Sequence, residues 1–274
     1  MSTSFGRGLH AASGRAVNLS AYDRYLGRWS RLFVPAVLAA AEIVQGCRVL
    51  DVASGTGEAA SMAIPMVGNT GFVVGADISL EMVKSARVRL NEPLYWPVNA
   101  DGQALPFRDG AFDAVVCQLG LQFFPNPAVG LKEFRRVVRA GGKVAVCVIA
   151  TSDRAPMWGN LADVLSRFLR QQRDILQMSW SLADPRRLEG LFNDAGFQDI
   201  CVEQIRREDS ISTFNDYWAP IEEGIGSLPQ AYRSLDEAGR RSVREEVHAR
   251  LAQYESSDGK LTMGLEMLIG GGRA

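Results

Sequence analysis

Val49-Leu50-Asp51-Val52-Ala53-Ser54-Gly55-Thr56-Gly57-Glu58-Ala59-Ala60 decides how the rest of the chain is read. Val49, Leu50 and Val52 form a short apolar run, the pattern of a parallel strand covered on both faces. Asp51 stands near its tip. Gly55 and Gly57 permit torsions and close approaches that a side chain would block, and residues 58–62 read as the opening of a helix. Free backbone N–H groups should then point out of the turn, where a nucleotide-like ligand can sit. The same spacing also describes an ordinary structural turn, so the flanking segments must decide.

On the N-terminal side, residues 1–20 are polar and aperiodic and read as a flexible tail. Tyr22, Tyr25, Leu26, Trp29 and Phe33 follow helical spacing, and Val37, Leu38 and Ala41 continue that face beyond Pro35. On the C-terminal side a helix is expected from Glu58 to about Ile64, where Pro65 should end or kink it. Residues 71–77 read as a second strand ending in Asp77, with Ser79 as N-cap of the next helix and Glu81 in its first turn. Residues 94–98 and 111–117 are further strands, the latter central. Asn126-Pro127 opens a helix that Gly141 is expected to stop, and residues 143–149 make a fifth strand. Strand and helix alternate throughout residues 47–150, the signature of a parallel doubly wound sheet.

Beyond residue 150 the rhythm changes. An amphipathic helix carries Leu161, Val164, Leu165 and Phe168 with no strand after it, and Asp184-Pro185 starts a helix that stops at Gly196. Residues 197–205 and 261–269 read as strands, with irregular helix between 211 and 254. The expected fold is α/β: a doubly wound, mostly parallel, Rossmann-like sheet with a helical cap. One domain spans 1–274, with a cofactor-binding core at 47–150 and cap segments at 21–45, 155–182 and 211–255.

Composition narrows the function. With 274 residues, 47% hydrophobic content and a net charge of −1, the chain lacks the electrostatic footprint of a nucleic-acid or anionic-membrane binder. No segment resembles a secretory signal or a membrane span, which points to the cytoplasm. Cys47, Cys117, Cys147 and Cys201 are far apart and read as reduced, buried thiols. His10 and His248 are the only histidines, and neither belongs to a metal constellation.

Ligands of open parallel sheets bind outside the carboxyl ends of the strands. Asp51, the glycine turn, Asp77, Asp101 and Gln118 fall there. Asp77 follows the turn by about 20 residues, the interval at which an acid accepts from ribose hydroxyls. A nicotinamide dinucleotide and S-adenosylmethionine both satisfy this pattern. Asp51 separates them, because an acid beside the turn would repel a pyrophosphate and suits a positively charged ligand. S-adenosylmethionine carries an ammonium and a sulfonium and no phosphate.

VLDVASGTG, VVGADIS with EMVKSA after it, NADGQALPF, FDAVVCQLGLQFF and EFRRVVRAGGKVAV follow one another between Cys47 and Ile149. As a set they resemble the class I S-adenosylmethionine-dependent methyltransferases, nearest the branch of ubiquinone and menaquinone C-methyltransferases and small-molecule methyltransferases. Ala53-Ser54 departs from the glycine and small residue that many relatives carry in the turn. The resemblance implies S-adenosyl-L-methionine as cofactor, with Asp51 near the methionine ammonium and Ala53, Ser54, Gly55 and Gly57 lining the methionine. It further implies Asp77 on the ribose, Ile78 and Met82 on the adenine ring, Asp101 and Gly102 at the adenine amino group, and Gln118 and Leu119 beside the sulfonium.

Each acid has a structural alternative: Asp51 and Asp77 as helix caps, Asp101 as an Asx turn. The cap segments are aromatic, and Trp29, Gln122, Trp180 and Trp218 are the candidate contacts for a small apolar or aromatic methyl acceptor. The alternative is that these rings form the cap's own core. Two rival functions stand beside methyl transfer. An NAD(P)-dependent oxidoreductase satisfies the loose G-x-G-x-x-A spacing, although no tyrosine has the Tyr-x-x-x-Lys partner of the short-chain dehydrogenases. The other is a non-catalytic S-adenosylmethionine-binding module. Neither a general base nor an oligomeric state can be named from the sequence.

Overall fold

The computed structural model describes residues 18–224 and 226–274. The expected tail therefore lies outside the described residues up to position 17. At Asn18 the chain is already ordered, since its side chain caps the helical turn Leu19–Tyr22 by accepting from Ala21 N at 3.2 Å. Short helical stretches follow as far as Ser30, and together residues 18–33 form a strap ahead of helix α1 (Val34–Ala40).

The core then alternates as its apolar pattern dictates: β1 (Arg48–Val52), α2 (Glu58–Val67), β2 (Phe72–Asp77), α3 (Leu80–Leu90), β3 (Tyr95–Asn99), β4 (Phe112–Gln118), α4 (Pro127–Val137) and β5 (Val138–Ile149). After it come α5 (Pro156–Phe168), α6 (Pro185–Asp194), β6 (Gln198–Ile211), α7 (Phe214–Glu223), α8 (Ser227–Arg233), α9 (Glu237–Leu251) and β7 (Leu261–Arg273). The seven strands form one sheet in the order β3-β2-β1-β4-β5-β7-β6, with β4 at its centre. The first five are parallel; β7 runs antiparallel to both β5 and β6.

Alternate residues of the strands feed two layers of core. Val49, Val73, Val116 and Cys147 face the strap, α1, α2 and the cap helices. Leu50, Val74, Val115 and Val146 face α4 and α6 on the other side. The cap segments are thus continuous with one face of the sheet: Trp29, Met157, Tyr217, Trp218 and Val243 share a single cluster with the strands.

Several boundaries differ from the sequence expectations. Pro65 does not end α2: it forgoes the bond its N–H would have made to the carbonyl one turn back, and the helix runs on to Val67. Gly141 does not stop a helix. The helix ends at Val137, Val138 pairs with Phe112, and Gly141, at φ +73, makes an irregular lead-in within β5. Cys201 is exposed and Cys47 partly so; only Cys117 and Cys147 are buried.

The largest difference is the length of β6 and β7. Met267 is the last β7 residue paired with β5, while 261–266 pair with β6 beyond it, Leu261 also bridging Glu255. The two strands therefore project about 20 Å past the carboxyl end of β5. Leu261, Met263 and Leu265 on this arm are fully buried in the cluster that contains the cap. The arm is what seats the cap beside the strand tips.

Candidate active site

A cavity of about 790 Å³ opens at the carboxyl ends of β1, β2 and β4. One half is made by the glycine turn. Ala53 and Gly55 sit at φ +55 and +53 and Gly57 at φ +86, so every second residue is left-handed as the chain reverses before α2 begins. At Gly57 the requirement is double: a side chain there would be strained, and its Cβ would come within 2.7 Å of Leu90. Ala53 and Leu119 (φ +57) are non-glycine residues in this region, and both line the cavity. Such strain persists where the surroundings overdetermine it, as at ligand sites.

Asp77, at the end of β2, holds the turn in place. One carboxylate oxygen accepts from Gly55 N and the other from Ser79 N, each at 2.8 Å. Each oxygen keeps a free lone pair, so the group can still accept from a diol. Burial raises its pKa while the two N–H bonds pull it back. Asp51 is buried more completely, and its Oδ2 accepts from Ala60 N at 3.2 Å. Its Oδ1 has no partner, and burial pushes its pKa up to about 8. A cation brought to Oδ1 would restore the charge. On the far side of the turn, Glu58 is gripped by Arg31 and Arg89, and Arg89 also donates to Thr56 Oγ1 at 3.0 Å.

The other half belongs to β4 and the cap. Gln118 donates through Nε2 to Ser30 O at 3.0 Å, which leaves its shielded Oε1 without a partner. Gly120 packs directly on the turn, since a Cβ there would lie 2.3 Å from Ala53 Cβ. Gln122 is 2% exposed, and neither amide atom has a partner. Tyr25, Ile149, Trp158 and Leu228 add apolar wall, with the Tyr25 hydroxyl and Trp158 indole N–H likewise unpaired. Among the described residues, the one cationic side chain on the wall is Arg233, which donates to Glu223 O at 3.1 Å.

The structure brings Asp51, Ala53, Ser54, Gly55, Asp77, Ile78, Met82, Gly102, Gln118, Leu119 and Gln122 to this one cavity. Gly57 stands behind the wall and shapes it. Asp101 is placed differently: its Oδ1 accepts from Gln103 N at 2.8 Å in an Asx turn, and Ala100 and Gly102 occupy the wall on either side. The tryptophan expectations are corrected. Trp29 and Trp218 are completely enclosed in the core, and Trp180 packs against it, so none of the three lies on the cavity wall. Trp218 stacks on Phe214 and meets Tyr232 edge-on, the packing of ring on ring rather than ring on ligand. Tyr22 and Tyr25 on the wall were not read as contacts from sequence, because their helical spacing is that of core residues, and Trp158 counted there only as one of the aromatics of the cap.

The donor set fits S-adenosylmethionine. Besides Glu58, which is paired with Arg31 and Arg89, the turn half offers two buried carboxylates with no cationic partner, Asp51 and Asp77, and no lysine or arginine on its wall, which suits a cationic, hydroxyl-bearing ligand and opposes a pyrophosphate. No cluster of potential metal ligands occurs among the described residues, and no helix among them is long and apolar enough to cross a membrane.

Comparison with known proteins agrees. Residues 50–146 match the family model described as a methyltransferase domain. The demethylmenaquinone methyltransferase of Staphylococcus epidermidis is 31% identical over 181 residues, covering 61% of this chain and 74% of that protein. The ubiquinone/menaquinone biosynthesis C-methyltransferase UbiE of Coxiella burnetii is 30% identical over 169 residues, covering 56% and 68%. Among solved structures, a Haemonchus contortus phosphoethanolamine N-methyltransferase holding S-adenosylhomocysteine is similar with a TM-score of 0.57 at 16% identity, over 93% of this chain and 56% of that one. That last likeness speaks to fold alone. With the turn, the two carboxylates and these relatives together, the chain belongs to the class I S-adenosylmethionine-dependent methyltransferases, in the branch of the quinone-biosynthesis C-methyltransferases.

Proposed function

We propose that this methyltransferase acts on a small apolar or aromatic molecule held in the cap half of the cavity, between Gln122, Trp158, Tyr25 and Leu228. The observation that carries the reading is the change in wall chemistry along one continuous cavity: unpaired carboxylates and backbone at the turn, and rings and amides toward the cap, where the charged groups Glu223 and Arg233 are each engaged with protein partners. An enclosed apolar wall with a few unpaired polar groups is the usual form of a small-molecule site.

When bound, the cofactor supplies a methyl group already activated on a sulfonium. The chain's part is to hold and align. Asp51 takes the ammonium on its free oxygen, Asp77 takes the ribose hydroxyls, and Ile78 and Met82 cover the adenine with Gly102 at its edge. Gln118 and Leu119 border the reacting centre. Gln122 hydrogen-bonds the acceptor, and the rings around it exclude water. Alignment of this kind can contribute ~7–11 kcal/mol to a transfer.

The names of the relatives suggest the first acceptor to try, a reduced naphthoquinone lacking the ring methyl group. S-adenosylmethionine labelled in its methyl group should pass label to the extracted quinol. Trp158→Phe and Gln122→Leu should lower that turnover at least fivefold, on the order of 1 kcal/mol, and leave cofactor affinity unchanged. Label found only in an added protein or RNA would sink the small-molecule reading.

A further inference from the structure

The strap of residues 18–33 is clamped on both sides of the cavity. Toward the cofactor half, Asp23 pairs with Arg89 at 3.1 Å, Arg31 with Glu58 at 2.8 Å, and Ser30 O accepts from Gln118. Toward the cap, Asn18 Nδ2 donates to Glu223 at 2.9 Å, and Arg24 pairs with the same carboxylate. Arg28 reaches the arm, donating to Asp209 at 2.5 Å and to Ser210 O at 2.6 Å. Between these clamps Asn18, Tyr22 and Leu26, four residues apart, present one face to the cavity.

Tyr22 lies over the glycine turn: its hydroxyl is 3.2 Å from where a Cβ on Gly55 would be. Burial, and then Asp77 and Glu58, push its pKa far above the ordinary tyrosine value, so the hydroxyl keeps its proton. It makes no hydrogen bond to another described residue, although it lines the cavity.

The cofactor's amino-acid end carries a carboxylate as well as an ammonium. Asp51 suits the ammonium, but the carboxylate meets a wall that includes Asp51, Asp77 and Glu58. The turn's own N–H groups are largely committed. Gly55 N goes to Asp77, Gly57 N to Ser54 O, Ala60 N to Asp51 and Ser61 N to Gly57 O. Two hydroxyls remain for this end of the ligand, Ser54 Oγ within the turn, which has no partner, and that of Tyr22, set above Gly55.

We infer that Tyr22, carried over the turn by the clamped strap, donates its hydroxyl proton to the carboxylate of the bound cofactor. The inference rests on the S-adenosylmethionine reading of the cavity and adds a binding residue to it. The hydroxyl makes the strap a reader of the amino-acid end, beyond its role in covering the site.

The test is a cycle of two deletions, read by calorimetry: Tyr22→Phe removes the hydroxyl, and decarboxylated S-adenosylmethionine removes the carboxylate. The unaltered protein should bind decarboxylated cofactor about tenfold more weakly than S-adenosylmethionine. Tyr22→Phe should weaken S-adenosylmethionine by about the same factor and leave decarboxylated cofactor within about twofold. Equal weakening of both ligands by Tyr22→Phe would mean a packing role and overturn the inference. Should the variant fail to fold, the unaltered protein alone decides: equal affinity for the two ligands would overturn the inference, whereas a tenfold preference supports it. Failure to bind either ligand would instead strike at the cofactor reading.

Discussion

The two halves of the cavity are built in different ways. The turn half is assembled from short sequence pieces whose backbone does most of the shaping: left-handed steps at Ala53, Gly55 and Gly57, and carboxylates tied to N–H groups. The cap half is assembled from side chains on separate segments spread along most of the chain, such as Tyr25, Gln122, Trp158 and Leu228. Changes in the turn half should therefore act on cofactor binding through local geometry. Changes in the cap should divide sharply into core residues, which carry stability, and wall residues, which carry acceptor turnover.

That division gives the largest expected effect. Trp218→Ala should destabilise the protein by about 3–5 kcal/mol, because a fully buried ring is removed from a packed cluster. Thermal melting would register it directly. An unchanged melting temperature with lost acceptor turnover would return Trp218 to the ligand wall and break the comparison.

Asp77→Ala comes next. Loss of its contact to two hydroxyls should weaken cofactor binding by roughly 30- to 1000-fold. The empty protein should also lose about 1–3 kcal/mol of stability, since the N–H groups of Gly55 and Ser79 are left unpaired in a buried place. An acid at a bare strand tip would be solvated and dispensable to the fold, but Asp77 braces the turn through Gly55 N and Ser79 N. A variant that binds normally and only melts lower would confine it to the brace.

The third concerns pH. Asp51 titrates at about 8 in the folded protein and near the ordinary carboxylate value, about 3.9, when unfolded. Between those values the folded state holds the extra proton, so the empty protein loses stability as pH rises through that window. Asp51→Asn should flatten that slope. Cofactor binding has the opposite sign, because the ammonium prefers the ionised carboxylate. Affinity should rise by up to about tenfold per unit as pH approaches 8 and then level off, with proton release visible on changing the calorimetry buffer. A flat profile from pH 6 to 8 would mean that Asp51 is ionised without ligand.

The smallest effect tests the turn itself. Ala53 pays for a left-handed conformation at φ +55, and glycine would adopt it freely. Ala53→Gly should stabilise the protein by up to about 1 kcal/mol after the added flexibility of the unfolded chain is offset. A fall in stability would show that its methyl contact with the Gly120 backbone outweighs the strain.

By itself the sequence determined the doubly wound core and the turn half of the site. The apolar runs, glycines and strand-end acids there act over a few residues, so Asp51, Gly55, Asp77 and Gly102 were legible from spacing and resemblance. Legibility stopped where one residue type serves two purposes. Tyr22, Tyr25 and Trp29 share one helical periodicity, and only packing separates Trp29, enclosed in the core, from the tyrosines on the wall. Asp101 could equally turn the chain or face the ligand, and its bond to Gln103 N is a matter of backbone placement. The arm of β6 and β7, the strap's clamps to Glu58, Arg89, Glu223 and Asp209, and the seating of the cap were decided by tertiary structure. Those contacts join residues far apart in the chain, and no local pattern can encode which distant face a side chain will meet.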